Sequence, residues 1–244
     1  GSLSQMGTAR LGKRTDGRTV KIDELVGLAK LDDLVFGAWD IFPDDAYEAT
    51  MRAQVLEERD LKPLEDFLRT IRPMPAAFDR QYVRRLDGPN VKKARTKKEL
   101  AEMLREDIRR TLEETGASRA VMIWCGSTEV YTRPSDCHRS IEAFEAGLEA
   151  NDPSITPSQL YAYAAIMEGV PYANGAPTLS ADVPALEQLA EETPTPYRQR
   201  QLQIIRTHVR LWQFGAWEKL AHAAEAATGR LRLPVRPPEV SESD

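Results

Sequence analysis

Long apolar runs, cysteine, histidine and a basic excess are all scarce in this chain, and each scarcity removes a class of function. No segment approaches the ~20 consecutive apolar residues that span a bilayer, so no membrane partner is expected. Cys125 and Cys137 are the only cysteines, too few for a disulfide framework. His138, His208 and His222 share no metal-ligand spacing with either cysteine, and none sits in a nucleophile motif. The sequence therefore nominates no metal and no catalytic residue. A net charge of −5 argues against non-specific nucleic-acid binding, which draws its affinity from a basic footprint on the phosphates. What is present is a chain of 244 residues, 41% hydrophobic and 29% charged, enough for one large domain or one domain with an appendage. It shows no signal-peptide pattern, and a cytoplasmic protein is the expectation.

The stretch from Ala120 to Tyr131 organises the rest. Ala120, Val121, Met122, Ile123 and Trp124 form a continuous apolar run, the pattern of a strand covered on both faces, as in a parallel sheet. Small residues follow: Cys125, Gly126, Ser127 and Thr128. In open α/β sheets ligands bind beyond the carboxyl ends of strands, and small residues there let a flat cofactor approach backbone. The same pattern also fits an ordinary strand-to-loop exit.

Upstream, Thr15-Asp16-Gly17-Arg18 reads as a hairpin turn, and Asp23 as the cap of a short helix from Glu24 to about Leu28. Leu34-Val35-Phe36 predicts a second strand, ending in Gly37-Ala38-Trp39-Asp40. A carboxylate just past a strand end can hold ribose hydroxyls, although no G-x-G-x-x-G precedes Asp40, and capping the next helix from Pro43-Asp44 is the plainer role. Leu61, Leu64, Leu68 and Ile71 mark a further amphipathic segment, and residues 78–95 read as loop. The basic run Lys92, Lys93, Arg95, Lys97, Lys98 reads as a solvated face, with a phosphate site as the alternative. Thr96 to Glu99 form a capping box, after which Leu100, Met103, Leu104, Ile108 and Leu112 line one helical face as far as Gly116.

Downstream, Ile141, Phe144 and Leu148 mark a helix, and Thr156-Pro157-Ser158-Gln159 starts another. Val170 to Ala173 is a short strand, Asn174 to Pro177 the loop at its end, and Ser180 the cap of a helix carrying Val183, Leu186 and Leu189. This recurrence of helix, glycine, strand and small-residue loop is an α/β signature.

The motifs G-S-L-S-Q (Gly1–Gln5), V-F-G-A-W-D (Val35–Asp40), W-C-G-S-T-E-V-Y (Trp124–Tyr131), P-S-Q-L-Y-A-Y-A (Pro157–Ala164) and M-E-G-V-P-Y-A-N-G-A-P (Met167–Pro177) stand in this order and spacing. Together they resemble the inositol-3-phosphate synthase family, and G-T-A-R-L-G-K-R-T-D-G-R at Gly7–Arg18 is similar to its prokaryotic branch. The resemblance implies an NAD-dependent isomerase converting glucose 6-phosphate to 1D-myo-inositol 3-phosphate by oxidation, enolisation, aldol closure and reduction. It also implies a homo-oligomer, a tetramer in the family. By the same resemblance Asp40 would hold the adenosine ribose, and Cys125, Gly126, Ser127 and Thr128 would line the dinucleotide. Asn174, Gly175 and Ala176 would sit near it, and Asp87 and Gly88 would border it.

The resemblance covers 1–190 and implies a partial, Rossmann-like NAD-binding domain, α/β with an incomplete parallel sheet and flanking helices. In the family a strand with a Gly-rich phosphate loop comes first, and a lysine-rich catalytic stretch follows soon after the position of Ala190. Neither is found, so a fragment, a frameshifted copy or a degraded copy is expected, inactive alone. The alternative is a non-catalytic chain that binds NAD weakly or joins an oligomer. Residues 191–244 read as a divergent tail with one long helix from about Tyr197 to Ala227, its face carrying Leu202, Ile205, Val209, Trp212 and Ala216. Its arginines and tryptophans also fit an RNA- or membrane-surface helix.

Overall fold

The longest helix sets its boundaries from its own residues. In the computed structural model, which describes residues 33–193 together with 8–11, 18–21, 29 and 204–206, it spans Lys97–Thr115. Thr96 Oγ1 accepts from the Glu99 amide at 3.1 Å, so the first turn is capped. Glu99 reaches back to the amide of Arg95 at 2.8 Å, one residue beyond the reciprocal box bond. Gly116 ends the helix at φ 63°, where a side chain would be strained.

In chain order the strands are β1 (Thr8–Leu11), β2 (Arg18–Lys21), β3 (Trp39–Asp40), β4 (Met74–Pro75), β5 (Met122–Trp124), β6 (Tyr172–Asn174) and β7 (Ile204–Arg206). The α-helices are α1 (Ala46–Ala53), α2 (Glu58–Leu61), α3 (Glu65–Leu68), α4 (Lys97–Thr115), α5 (Ile141–Glu149), α6 (Pro157–Met167) and α7 (Pro184–Glu192). The chain divides into two compact units, 1–35 with 209–244, and 36–208. In the first, β1 and β2 pair antiparallel on either side of the expected hairpin turn, which itself lies outside the described residues. So does the expected Glu24–Leu28 helix. In the second, β3 pairs parallel with β4, and β5, β6 and β7 form a parallel sheet in that order. Helices make each crossover, as parallel pairing requires. This is an α/β fold.

The core lies around α6. Its residues Leu160, Tyr161, Ala162, Tyr163, Ala164, Ala165 and Ile166 are all buried, as expected of a helix apolar on every side. Leu104 and Ile108 of α4, Phe144 and Leu148 of α5 and Leu186 of α7 join the same cluster. Pro157 at the first helical position and the complete Thr156–Gln159 capping box fix the start of α6.

Several expectations need correction. The Leu34–Phe36 strand does not form: Val35 and Phe36 are 60% and 74% exposed, and pairing begins only at Trp39. Its partner β4 follows Pro73 and ends in Pro75, neither of which can donate to a ladder, so pairing stays short. β5 is an edge strand with one open face, its Ile123 60% exposed, rather than a strand covered on both faces. α1 starts at Ala46 with Asp45 as its cap, not at Pro43. The segment carrying Leu61 and Leu68 is broken by a 3-10 turn, Lys62–Leu64, containing Pro63. Ser180 is not a cap, because α7 begins at Pro184 after Val183. Within the expected tail helix, Ile204–Arg206 pair parallel with β6; β-branched Ile204 and Ile205 suit a strand. The rest of that helix lies outside the described residues.

Tyr161 joins the two parallel groups. Its ring centroid lies 5.3 Å from that of Trp39, beginning β3, and 5.3 Å from that of Trp124, ending β5. Its hydroxyl oxygen accepts the amide of Ala77, just past β4, at 2.8 Å. Tyr161→Phe keeps the ring contacts and orphans that buried amide. Urea denaturation is expected to show a loss of about 1–3 kcal/mol; an unchanged midpoint would sink this account of the junction.

Candidate functional site

β5 and β6 deliver the chain into loops that lie against each other. The Gly175 amide donates to the Trp124 carbonyl at 2.8 Å, and a Cβ at Gly175 would stand 2.9 Å from that oxygen. Glycine lets the 174–176 turn close on the end of β5. Asn174 is buried and uses its side chain within its own loop. Its Oδ1 accepts from the Ala176 amide at 2.9 Å, and its Nδ2 donates to the Thr178 carbonyl at 2.6 Å. Asn174 and Ala176 therefore shape the turn from inside, and Gly175 is exposed.

Cys125, Gly126, Ser127 and Thr128 are exposed. Thr128 lines a cavity of about 100 Å³ together with Glu129, Val130, Thr156 and Thr178. The buried Thr178 hydroxyl and Trp124 Nε1 have no hydrogen-bond partner among the described residues. Glu129 is buried where the 125–132 loop meets α6; it accepts from the Ser158 amide at 2.8 Å and from its hydroxyl at 2.6 Å. A carboxylate thus holds the first turn of α6, a favourable place for negative charge.

Asp40 ends β3. Its Oδ1 accepts from the Phe42 amide at 2.9 Å in a local turn, and it does not cap α1. Its Oδ2 has no hydrogen-bond partner among the described residues, and the residue is exposed. Asn90 anchors the following loop by donating its side-chain amide to the Asp40 carbonyl at 3.0 Å and its backbone amide to Ile41 at 2.9 Å. A Cβ at Gly88 would fall 2.3 Å from the Ile41 oxygen, so glycine allows that approach and brings Asp87 and Gly88 beside the end of β3. The expected residues thus form two groups, Asp40 with Asp87 and Gly88, and Cys125–Thr128 with Asn174–Ala176. Tyr161 bridges the strands that carry them.

Two features escaped the sequence reading. The first is Asp107, 3% exposed, which accepts from Trp39 Nε1 at 2.7 Å and pairs with Lys92 and Arg110 at 2.6 Å each. Its signal was a carboxylate at the third position after Leu104, on the apolar face of α4. The second is the basic run, which is not a solvated face throughout. Lys92 is buried against Asp107, and Lys97 Nζ donates to Tyr82 Oη at 3.0 Å, Asp152 O at 2.7 Å and Ile155 O at 2.6 Å. Burial lowers the Lys97 pKa and pushes the Tyr82 phenol up to about 12. Among the described residues no group of His, Cys, Asp and Glu is placed to hold a metal, and no helix is long and apolar enough to cross a membrane.

Residues 1–203 match the model of an NAD-binding domain family described as myo-inositol-1-phosphate synthase. Inositol-3-phosphate synthase 1 of Bacteroides thetaiotaomicron is 44% identical over 197 residues, covering 80% of this chain and 45% of that protein. Inositol-3-phosphate synthase 1 of Oryza sativa is 34% identical over 196 residues, covering 78% of this chain and 38% of the relative. The crystal structure of inositol-3-phosphate synthase from Caenorhabditis elegans superposes with a TM-score of 0.73 at 28% identity, over 80% of this chain and 39% of that one. The chain therefore spans less than half the length of these relatives.

Glu129 gives the crevice a pH dependence. Burial raises its pKa above the ordinary 4.5, opposed by the Ser158 hydrogen bonds, a Thr156 hydrogen bond and the Lys97 charge. The folded state then holds the proton more tightly than the unfolded state. Stability from this group is present at low pH and is lost as pH rises from 4.5 through the raised value. Glu129→Gln removes the titration. Urea midpoints measured across that window are expected to move in favour of the variant as pH rises, and a constant difference would show that Glu129 does not titrate there.

Proposed function

This chain belongs to the myo-inositol-1-phosphate synthase family, and we propose that it supplies the NAD-holding part of such an enzyme, at the ends of β3, β5 and β6. The observation that carries the reading is the Asp40 carboxylate oxygen at the end of β3 that has no hydrogen-bond partner among the described residues, on a strand tied through Tyr161 to the small-residue loop after β5. A carboxylate with an open oxygen at a strand end can accept from ribose hydroxyls. The residues Gly126, Ser127 and Thr128 leave the approach to backbone clear, and the unpartnered Thr178 hydroxyl and Trp124 Nε1 offer polar groups to a ligand. These residues fit a dinucleotide. NAD, when bound, supplies a hydride acceptor that later returns the hydride, so the chain's task is to hold it without release. Asp40 would fix the ribose, Cys125–Thr128 would line the dinucleotide, and Asn174, Gly175 and Ala176 would keep the facing turn closed. Asp87 and Gly88 would border the ribose end.

The substrate in this reading is glucose 6-phosphate, converted to 1D-myo-inositol 3-phosphate by the whole enzyme, a homo-oligomer in the cytoplasm. Residues 1–190 serve as its NAD-binding domain and 191–244 as a separate tail. Calorimetry with the full chain tests the cofactor step directly. NAD is expected to bind, and Asp40→Ala to weaken it about 10–100-fold, the worth of hydrogen bonds to a charged group. Equal affinity of the variant would remove Asp40 from the site, and no binding by the folded chain would remove the reading.

A further inference from the structure

The loop Cys125–Thr128 has to keep one shape to lie along a dinucleotide, yet its own side chains do not hold it. All four residues are exposed, and none of their side chains makes a hydrogen bond among the described residues. The loop is fixed from its ends, and α6 has a hold on both. At the near end Trp124 packs against Tyr161, with ring centroids 5.3 Å apart. The loop turns back over that indole, where a Cβ at Gly126 would stand 2.9 Å from the ring. At the far end Glu129 accepts from the Ser158 amide at 2.8 Å and from the Ser158 hydroxyl at 2.6 Å. Ser158 and Tyr161 stand at i and i+3 of α6, neighbours on one face of the helix. We propose that Glu129 is a positioning residue for the cofactor: with Tyr161 it stretches Cys125–Thr128 between two points one turn apart on α6, and so sets where Thr128 meets the ligand. The proposal rests on the NAD reading of this loop.

The receiving end of this tether is rigid. Ser158 is fully buried in the first turn of α6, its hydroxyl 3.1 Å from that of Thr156, whose capping box with Gln159 is complete. Glu129 is buried as well, and a grip through both oxygens fixes its direction as well as its distance. The next residue is held from elsewhere: the Val130 amide donates to the Tyr82 carbonyl at 2.8 Å. Of these two anchors, only Glu129 ties the loop to the helix that also places Trp124. Thr128 and Glu129 line the same small cavity beside the Thr178 hydroxyl, so a displaced carboxylate moves the wall on which Thr128 sits. What the loop takes from Glu129 is reach. A glutamine keeps that reach, because its Oε1 can accept the Ser158 amide and its Nε2 can donate to the Ser158 hydroxyl oxygen. An aspartate keeps the charge and is one methylene short.

The test compares Glu129→Gln and Glu129→Asp in the full chain, by calorimetric titration with NAD near neutral pH. Each protein is measured at a temperature where circular dichroism shows it fully folded. Affinity is expected to follow reach: Glu129→Gln stays within ~3-fold of the parent, and Glu129→Asp is weaker by about 10-fold, the worth of one hydrogen bond to a charged group. Ser158→Ala leaves the loop and the carboxylate intact and removes one of the two holds, so it is expected to weaken NAD by about 5–10-fold. It carries the test alone if the aspartate variant does not fold. A merely structural role would lower the melting temperature and leave the NAD affinity of the folded chain as in the parent. Parent-like affinity in folded Glu129→Asp or in Ser158→Ala therefore overturns the proposal and leaves the NAD reading standing. So does a loss in Glu129→Gln as large as that in Glu129→Asp, because charge and not reach would then be what the ligand feels. No NAD binding by the folded parent removes the NAD reading, and this proposal with it.

Discussion

The unit spanning 36–208 hangs together at Tyr161. β3 and β4 form one parallel pair and β5 to β7 another sheet, with no ladder between them. What connects them is a ring wedged between Trp39 and Trp124 and a phenol oxygen that takes the Ala77 amide. Edge-to-face and tilted aromatic contacts are each worth about 0.5–1.5 kcal/mol beyond burial. The hydrogen bond adds direction, because it fixes where β4 ends relative to α6. Asp107 reinforces the arrangement from α4 by holding the other end of Trp39.

The candidate crevice inherits its geometry from these few bonds. Asp40 directly follows Trp39, and the Cys125–Thr128 loop directly follows Trp124, so placing the two tryptophans places both groups. The loops are then finished locally, by Asn174 within its turn, by Asn90 on the Asp40 carbonyl and by Glu129 on the first turn of α6. Buried ionic contacts of this kind, such as that of Lys92 with Asp107, are strongly destabilising to break by removing one partner. Because they share Asp107, the anchoring of Lys92 and the support of Trp39 are mechanically one unit.

Helices were legible wherever capping and periodicity agreed. Thr96, Gly116, Thr156 and Pro157 mark ends that the structure keeps, because those signals act within one turn. Strands were legible in existence and less so in extent. Val35, Phe36 and Ile123 have strand-forming side chains, but whether a residue pairs depends on a neighbour elsewhere in the chain, which local pattern does not contain. The strand-end loops were found because small residues after an apolar run are visible in one dimension. Asp107, Tyr161 and the burial of Lys92 were not, since their meaning lies in partners 68, 84 and 15 positions away.

The Ala77–Tyr161 bond closes a span of 84 residues, whereas the caps of α4 and α6 close within a few. Loop closure is costly before long-range contacts repay it. The segment from β5 through α6 to β6 therefore has a shorter route to its own core than to its junction with β3 and β4. The bond that sets the spacing of Asp40 from the Cys125–Thr128 loop is thus one whose closure entropy is large beside that of any helix cap.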